Sequence, residues 1–545
     1  MKLATRLTTV TLGLVGLLGP LAVATGTPAT AAAAVAKPPV PQLDWRACGP
    51  AHPGFLCTTA EVPTDYDTPR GATTTIALTK LPATGPAAKI GSLFTNPGGP
   101  GGSGVDFVQT VGRTAYTATV RARYDIIGFD PRGVGSSDPV TCYPDAAAEQ
   151  AALAAFPAFP VTAKDARAFL PLDAALTASC RQTSGARIAH SSTANVARDL
   201  DLLRQAVGDK LLSYVGYSYG TFLGATYGRL FPQSVGKMVL DGTLDPAAYS
   251  GSNGDRRPVG ARTQQGPASA EVFQQFLARC QEAESGCALN ELGRPGTVVK
   301  QLFESLKKKP VPIDVGGGTI VSVGYPQAVA IAFQFMYSPA GWQSLATTLA
   351  YLARGGDGAP PAAVPEALAQ VDRARRTDYA SIGGSIASTC VDATSPLAPS
   401  GFQRLADAED RRAPDFGRFR AWTGLECATL GVPDTDAYRG PWTQSTTRPI
   451  MVIGTRYDPA TPYSFTRPFA DLFPDGRMLT VEGYGHTILG KSTCADEAVA
   501  RYLVDGRAPR DGATCAQSIQ PFAAAPAAVP QTAQPQLMTS AMLGS

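Results

Sequence analysis

Residues 211–230 read LLSYVGYSYGTFLGATYGRL, and the order of residue types in this stretch decides the fold. The segment LLSYVG (211–216) is an apolar run of strand length, and TFLGATYGRL (221–230) is a helical run. Between them Gly216-Tyr217-Ser218-Tyr219-Gly220 forms a G-x-S-x-G turn. A serine on a tight strand-to-helix turn sits in strained geometry that small flanking residues tolerate. Its Oγ then projects over the end of the sheet, near the positive end of the helix. A glycine-rich turn with an incidental serine shows the same five letters. The strand before it and the helix after it give Ser218 its meaning.

Working outward, the same strand–helix alternation recurs. IGSLFT (90–95) reads as a short strand ending in a glycine-rich loop, and YDIIGF (124–129) as another, closed by Asp130-Pro131-Arg132-Gly133. Residues 193–207 have helical spacing, with Val196, Leu200, Leu203 and Val207 on one face. Residues 237–240 read as a fourth strand, and residues 44–80 as short antiparallel strands. Such alternation predicts an α/β fold with a mostly parallel sheet covered on both faces. The rhythm stops from 249 to 447, where apolar spacing at 272–277, 329–336 and 345–352 predicts helices broken by Gly/Pro-rich joints such as 355–365. It resumes at PIMVI (449–453) and MLTV (478–481). The expected organisation is a sheet domain over 37–248 and 448–516, with a large helical cap inserted at 249–447. An Ala/Pro/Gln-rich tail at 517–545 reads as disordered.

A serine hydroxyl is a weak nucleophile and needs a base within reach. The chain has 3 histidines, so the search is short. His52 lies between two cysteines and His190 precedes a helix start, which suits structural roles. His486, in Glu482-Gly483-Tyr484-Gly485-His486, follows the last expected strand, where the base belongs. The acid that fixes its tautomer is assigned to Asp458, after the strand at 449–453; Asp241, ending an earlier strand, is the rival. The chain order is then Ser, Asp, His. An oxyanion needs backbone donors. The Tyr219 N–H is one. The second is expected from Asn96-Pro97-Gly98-Gly99-Pro100-Gly101-Gly102-Ser103-Gly104, with Gly99 preferred over Gly98. No Gly-Lys-Ser/Thr follows this loop, so it is not a phosphate cradle of the P-loop kind.

Composition limits the alternatives. The 545 residues carry 47 Lys and Arg against 44 Asp and Glu, a net charge of +3. Nothing in that balance calls for nucleic acid or an anionic membrane as partner. Lys2 and Arg6, an apolar run at 11–24 and small residues at 29–36 read as a cleaved export signal over residues 1–36. The chain is therefore expected to be secreted, without stable membrane association. Its 10 cysteines fall into local couples, Cys48 with Cys57, Cys142 with Cys180, Cys280 with Cys287, Cys390 with Cys427, and Cys494 with Cys515. Disulfides suit an exported protein better than zinc, for which no CxxC is present, and no metal or other cofactor is expected.

The motifs NPGGPGGSG (96–104), FDPRGVGSS (129–137), GYSYGT (216–221), RYDPATP (456–462) and GYGH (483–486) together resemble the secreted tripeptidyl aminopeptidases of Streptomyces. Those belong to the prolyl-aminopeptidase-like branch of the α/β hydrolases. The resemblance runs from about Trp45 to Cys515 and includes a "TAP-like" C-terminal module. It implies the α/β-hydrolase fold, a helical cap, no metal, and peptide substrates with a free N-terminus from which di- or tripeptides are released. It carries the catalytic roles onto Ser218, Asp458 and His486. Cys390-Val391-Asp392 matches a Cys-x-Asp element of the cap, and Asp392 is a candidate anchor for a substrate ammonium, although a surface or capping aspartate would look the same. Glu426, beside Cys427, is a second candidate without motif support. Asp130 and Arg132 are expected to brace the loop near the site. A carboxylesterase or lipase would carry the same three catalytic residues, and a non-catalytic binding protein on this scaffold is the remaining alternative.

Overall fold

In the computed structural model, residues 37–85, 89–315, 320–368, 382–488 and 490–523 are described. The expected export signal lies outside them, as do residues 524–545 of the expected tail; within 517–523, read from composition as disordered, Gln517 bonds the Tyr484 backbone and Phe522 packs on Phe276 and Trp342. Strand β6 (Leu212–Tyr217) is buried along almost its whole length. It lies inside a ten-stranded sheet of order β1-β2-β3-β5-β4-β6-β7-β10-β11-β12. The neighbours are β4 (Gly91–Asn96) and β7 (Val235–Asp241), both parallel to it. β5 (Tyr124–Phe129), β10 (Ile450–Tyr457), β11 (Gly476–Tyr484) and β12 (Ala513–Ala516) extend the parallel set. β1 (Arg46–Ala47), β2 (Leu56–Pro63) and β3 (Thr73–Leu81) pair antiparallel at one edge.

Side chains alternate across a strand, so adjacent apolar residues enter opposite layers. Phe94, Ile127, Tyr214 and Leu240 join one buried cluster with the helices Thr193–Ala206 and Tyr219–Leu230. Leu93, Ile126, Val215 and Val239 join the other, with the helices Gly104–Val111 and Thr493–Asp505. Two covered faces account for the unbroken apolar runs in the strand sequences.

Between β7 and β10 the described residues are mainly helical, and among them β8 (Val311–Asp314) pairs antiparallel with β9 (Ile320–Val323). Periodicity does not reveal strands of four residues, and the sequence reading had only helices there. A second difference lies between β5 and the helix Thr193–Ala206. Residues 140–188 had been grouped with the sheet, yet Phe159 packs on Tyr325 and Phe419, and Phe169 on Trp422. These residues share one apolar cluster with the segment inserted before β10. Two segments far apart in sequence build one helical layer, which a linear boundary does not capture. All five cysteine couples are disulfides, and the described residues contain no free cysteine.

Candidate active site

The parallel strands bring the loops that follow them to one rim, at their carboxyl ends, where ligands bind in open α/β sheets. Ser218 follows β6 and has φ 55° and ψ −121°. For a residue with a Cβ this conformation costs on the order of 1–3 kcal/mol, and it persists because the surroundings hold it. The Ser218 N–H donates to the Asp241 carbonyl (2.9 Å), and the Ser218 carbonyl accepts from the Thr221 N–H (2.8 Å) and Oγ1 (2.6 Å). The flanking glycines are required by close approach. A Cβ at Gly216 would stand 2.3 Å from the Gly220 carbonyl oxygen, and one at Gly220 2.7 Å from that of Asn96.

His486 follows β11 and is buried, as is Asp458 after β10. Its Nδ1 lies 2.8 and 2.9 Å from the two Asp458 carboxylate oxygens. The carboxylate also accepts the N–H groups of Ala460 and Thr461, both at 2.8 Å, and the Thr461 hydroxyl at 2.8 Å. The rival acid, Asp241, turns elsewhere: its carboxylate accepts the Ile488 N–H (2.9 Å) and so holds the loop just beyond the histidine. Asp241 and Ser218 share a backbone bond, and a Cβ at the next residue, Gly242, would stand 3.2 Å from His486 Cε1. The Ser218 backbone and the Cε1 edge of the imidazole thus both lie beside the end of β7. Among the described residues His486 Nε2 has no hydrogen-bond partner.

Three groups around the imidazole went unnoticed in the sequence. Thr461 Oγ1 touches both Asp458 and His486 Nδ1 (3.2 Å). Its only sequence signal was its place in the Asp-Pro-Ala-Thr-Pro segment. Thr461→Val removes a hydrogen bond to a charged acceptor, a loss of about 1.5–3 kcal/mol. The expected result is a fall of about tenfold or more in kcat with KM little changed, read in steady-state kinetics. Tyr337, from the helical layer, accepts the His486 N–H on its carbonyl (3.0 Å) and sets its ring edge-on to the imidazole, centroids 5.0 Å apart. The Lys491 ammonium donates to the carbonyls of His486 (2.7 Å), Thr487 (3.1 Å) and Tyr337 (3.4 Å). Burial brings this ammonium down to about 8, against the pull of Asp241 and Asp458.

The glycine-rich loop after β4 packs against the serine turn. A Cβ at Gly98 would stand 2.5 Å from the Tyr217 carbonyl oxygen, 3.0 Å from Ser218 Cβ and 3.1 Å from the Tyr219 nitrogen. The Gly98 N–H is taken by Asn96 Oδ1 (2.9 Å), whereas no acceptor among the described residues takes the Gly99 N–H. Tyr219 is the first residue of its helix, and its N–H is one of the orphan donors of a helix start. Asp130 fixes the far end of the loop, accepting from Ser103 Oγ (2.6 Å) and the Val105 N–H (3.1 Å). Arg132 is paired with Asp199 (2.6 and 2.8 Å) and donates to the Pro63, Thr64 and His190 carbonyls.

The two candidate anchors lie elsewhere in the helical layer. Asp392 accepts the Thr193 N–H (3.0 Å) and hydroxyl (2.6 Å) through one oxygen, and its Oδ1 has no partner among the described residues. Burial pushes its carboxyl up to about 7. The Thr193 hydroxyl also meets the Tyr219 hydroxyl, which links Asp392 to the serine turn. Ser385, on the helix Gly383–Cys390 that ends just before Asp392, sits against Gly101 of the glycine-rich loop. Glu426 accepts the Gly424 N–H (3.2 Å), and burial, then Asp173, pushes its carboxyl up to about 8. Cys390, Glu426 and Cys427 are close enough to hold a metal, but both sulfurs belong to the Cys390–Cys427 disulfide and are not thiolate ligands. His52 lies between β1 and β2, and His190 lies in the turn before the helix Thr193–Ala206, where its carbonyl accepts from Arg132 (3.0 Å).

A strained serine and a carboxylate-backed imidazole, on one rim of a mostly parallel sheet, define a serine hydrolase of the α/β-hydrolase class. Comparison with known proteins agrees. The alpha/beta hydrolase fold model matches residues 92–266, and the TAP-like protein model matches residues 413–515. The serine protease Hip1 of Mycobacterium tuberculosis is 34% identical, over 89% of this chain and 93% of that protein. The tripeptidyl aminopeptidase of Streptomyces lividans is 30% identical over 90% of each chain. A carboxylesterase B of M. tuberculosis is 31% identical, over 91% of this chain and 94% of that one. The chain belongs to the tripeptidyl-aminopeptidase family of α/β-hydrolase serine peptidases, those with a TAP-like C-terminal module.

Proposed function

We propose that the protein is a secreted serine exopeptidase that releases di- or tripeptides from free N-termini through an acyl-enzyme on Ser218. The observation that carries the chemistry is the His486–Asp458 pair at the rim that also holds the strained serine. In this reading His486 Nε2 takes the Ser218 proton as Oγ attacks the carbonyl carbon. The N–H groups of Tyr219 and Gly99 receive the oxyanion, and Asp458 stabilises the imidazolium. His486 then protonates the leaving amine, and water deacylates the serine. The helical layer acts as the cap; Tyr337 on the histidine and Ser385 on the glycine-rich loop support that role. Five disulfides and the charged, apolar N-terminal stretch support export.

Release of short N-terminal fragments requires a group that holds the substrate ammonium a fixed distance from Ser218. Asp392, buried with one oxygen unpaired and linked to the serine turn through Thr193 and Tyr219, is assigned that role. A hydrogen bond between charged groups contributes about 1.5–3 kcal/mol. Asp392→Asn should therefore reduce the ratio of kcat/KM on a free-amine tripeptidyl anilide to that on its N-acetyl form by about tenfold or more. An unchanged ratio removes Asp392 from the role. Turnover of a short-chain nitrophenyl ester with none of the anilide would favour the esterase reading, which the carboxylesterase relative represents.

A further inference from the structure

Arg420 is a buried cation in the helical layer, on the short helix Phe416–Ala421. Its Nη2 donates to Gln265 Oε1, while Nε and Nη1 are buried with no acceptor among the described residues. The guanidinium carbon lies 5.3 Å from the ring centroids of both Phe333 and Phe419, so two aromatic rings line the buried group. Burial lowers this guanidinium to about 10, and Tyr337 and Glu426 oppose the shift; it is a cation at neutral pH. A buried cation with unmatched donors costs several kcal/mol unless something supplies the acceptors.

Two routes connect Arg420 to the reacting groups. Phe333 packs edge-on to Tyr337 (5.2 Å between centroids), which in turn packs on His486 (5.0 Å). Gln265, the residue Arg420 holds, begins the helix Gln265–Glu282, and Ser269 on that helix donates to the Pro459 carbonyl (2.7 Å), next to Asp458. The guanidinium thus belongs to the part of the helical layer that touches the histidine and acid loops.

We propose that Arg420 is a substrate-binding residue that receives a carboxylate of the bound peptide, either an acidic side chain or the chain's own C-terminus. The planar guanidinium with donors left free matches a carboxylate better than a single carbonyl oxygen. Gln265 orients it, and the Phe333 and Phe419 rings line it. The assignment rests on Ser218 and His486 being the reacting centre.

The test reads protection of Ser218 from a fluorophosphonate, which depends on binding and not on peptide cleavage. Free-amine tetrapeptides are compared in two pairs, Glu against Gln at each position with an amidated end, and free against amidated C-terminus with neutral side chains. In the wild type one pair should differ by about tenfold or more in protecting concentration, the carboxylate form being tighter. The pair that differs identifies which carboxylate is bound. Arg420→Met should bring that pair to parity, and Arg420→Lys should keep part of the difference; circular dichroism and continued labelling show that each variant is folded. No difference in either wild-type pair, or a difference that survives Arg420→Met, overturns the assignment. If the anilide is not cleaved but the protection difference persists, the peptidase reading fails and this one stands.

Discussion

Replacing His486 with alanine is expected to lower kcat on any cleavable substrate by about 10⁵–10⁶-fold, the scale of loss when one member of such a catalytic unit is removed. The argument is geometric. His486 Nδ1 is held by Asp458, and the Cε1 edge of its ring lies beside Gly242 at the end of β7, where the Ser218 backbone is bonded. Among the described residues, His486 is the histidine whose Nδ1 lies on a carboxylate. KM should change much less than kcat, because the imidazole acts in bond making and breaking more than in holding substrate. Ser218→Ala should give a loss of the same size, and the double variant no further loss, because the two residues act as one unit. Steady-state kinetics of the three variants checks this; additive losses would mean that the two residues act separately.

Asp458→Asn is the second large effect, a fall in kcat of about 10⁴-fold. The carboxylate takes two backbone N–H groups, a hydroxyl and the imidazole, so an amide in its place must turn its NH₂ toward one of those donors or toward Nδ1. Turned toward Nδ1, the NH₂ donates there and puts the proton on Nε2, the tautomer that cannot accept; turned the other way it keeps the tautomer but sets N–H against N–H and leaves the imidazolium without its counter-charge. Asp241→Asn serves as the comparison. Its carboxylate binds the Ile488 N–H, and a side-chain amide oxygen accepts that bond equally well, so its cost should be far smaller. A reversed ranking of the two variants would transfer the acid's role to Asp241.

The parts of the structure that were legible in the sequence are those set by local pattern. The strand LLSYVG is mostly apolar because β6 is buried on both faces along almost its whole length, and the turn after it admits few residue types for steric reasons visible in five letters. Asp458 and His486 were found by chain order, each just after an apolar strand. The choice of Gly99 over Gly98 was a preference in the sequence; the structure adds that the Asn96 side chain occupies the Gly98 N–H. Tyr337, Lys491 and Arg420 left no local signal. Tyr337 and Arg420 are placed by packing of the helical layer and Lys491 by the loop after His486, and a tyrosine or arginine in or beside an amphipathic helix has the same spacing whether it faces core, solvent or substrate. The layer itself was read as one insertion because composition cannot show that residues 140–188 fold into it.

Labelling with a fluorophosphonate, followed by digestion and mass spectrometry, probes the reacting serine without assuming any substrate. A single adduct on the peptide containing Tyr217, Ser218 and Tyr219, lost in His486→Ala, is the predicted result. A folded wild-type protein that takes no label, or takes it on a different residue, would contradict the account.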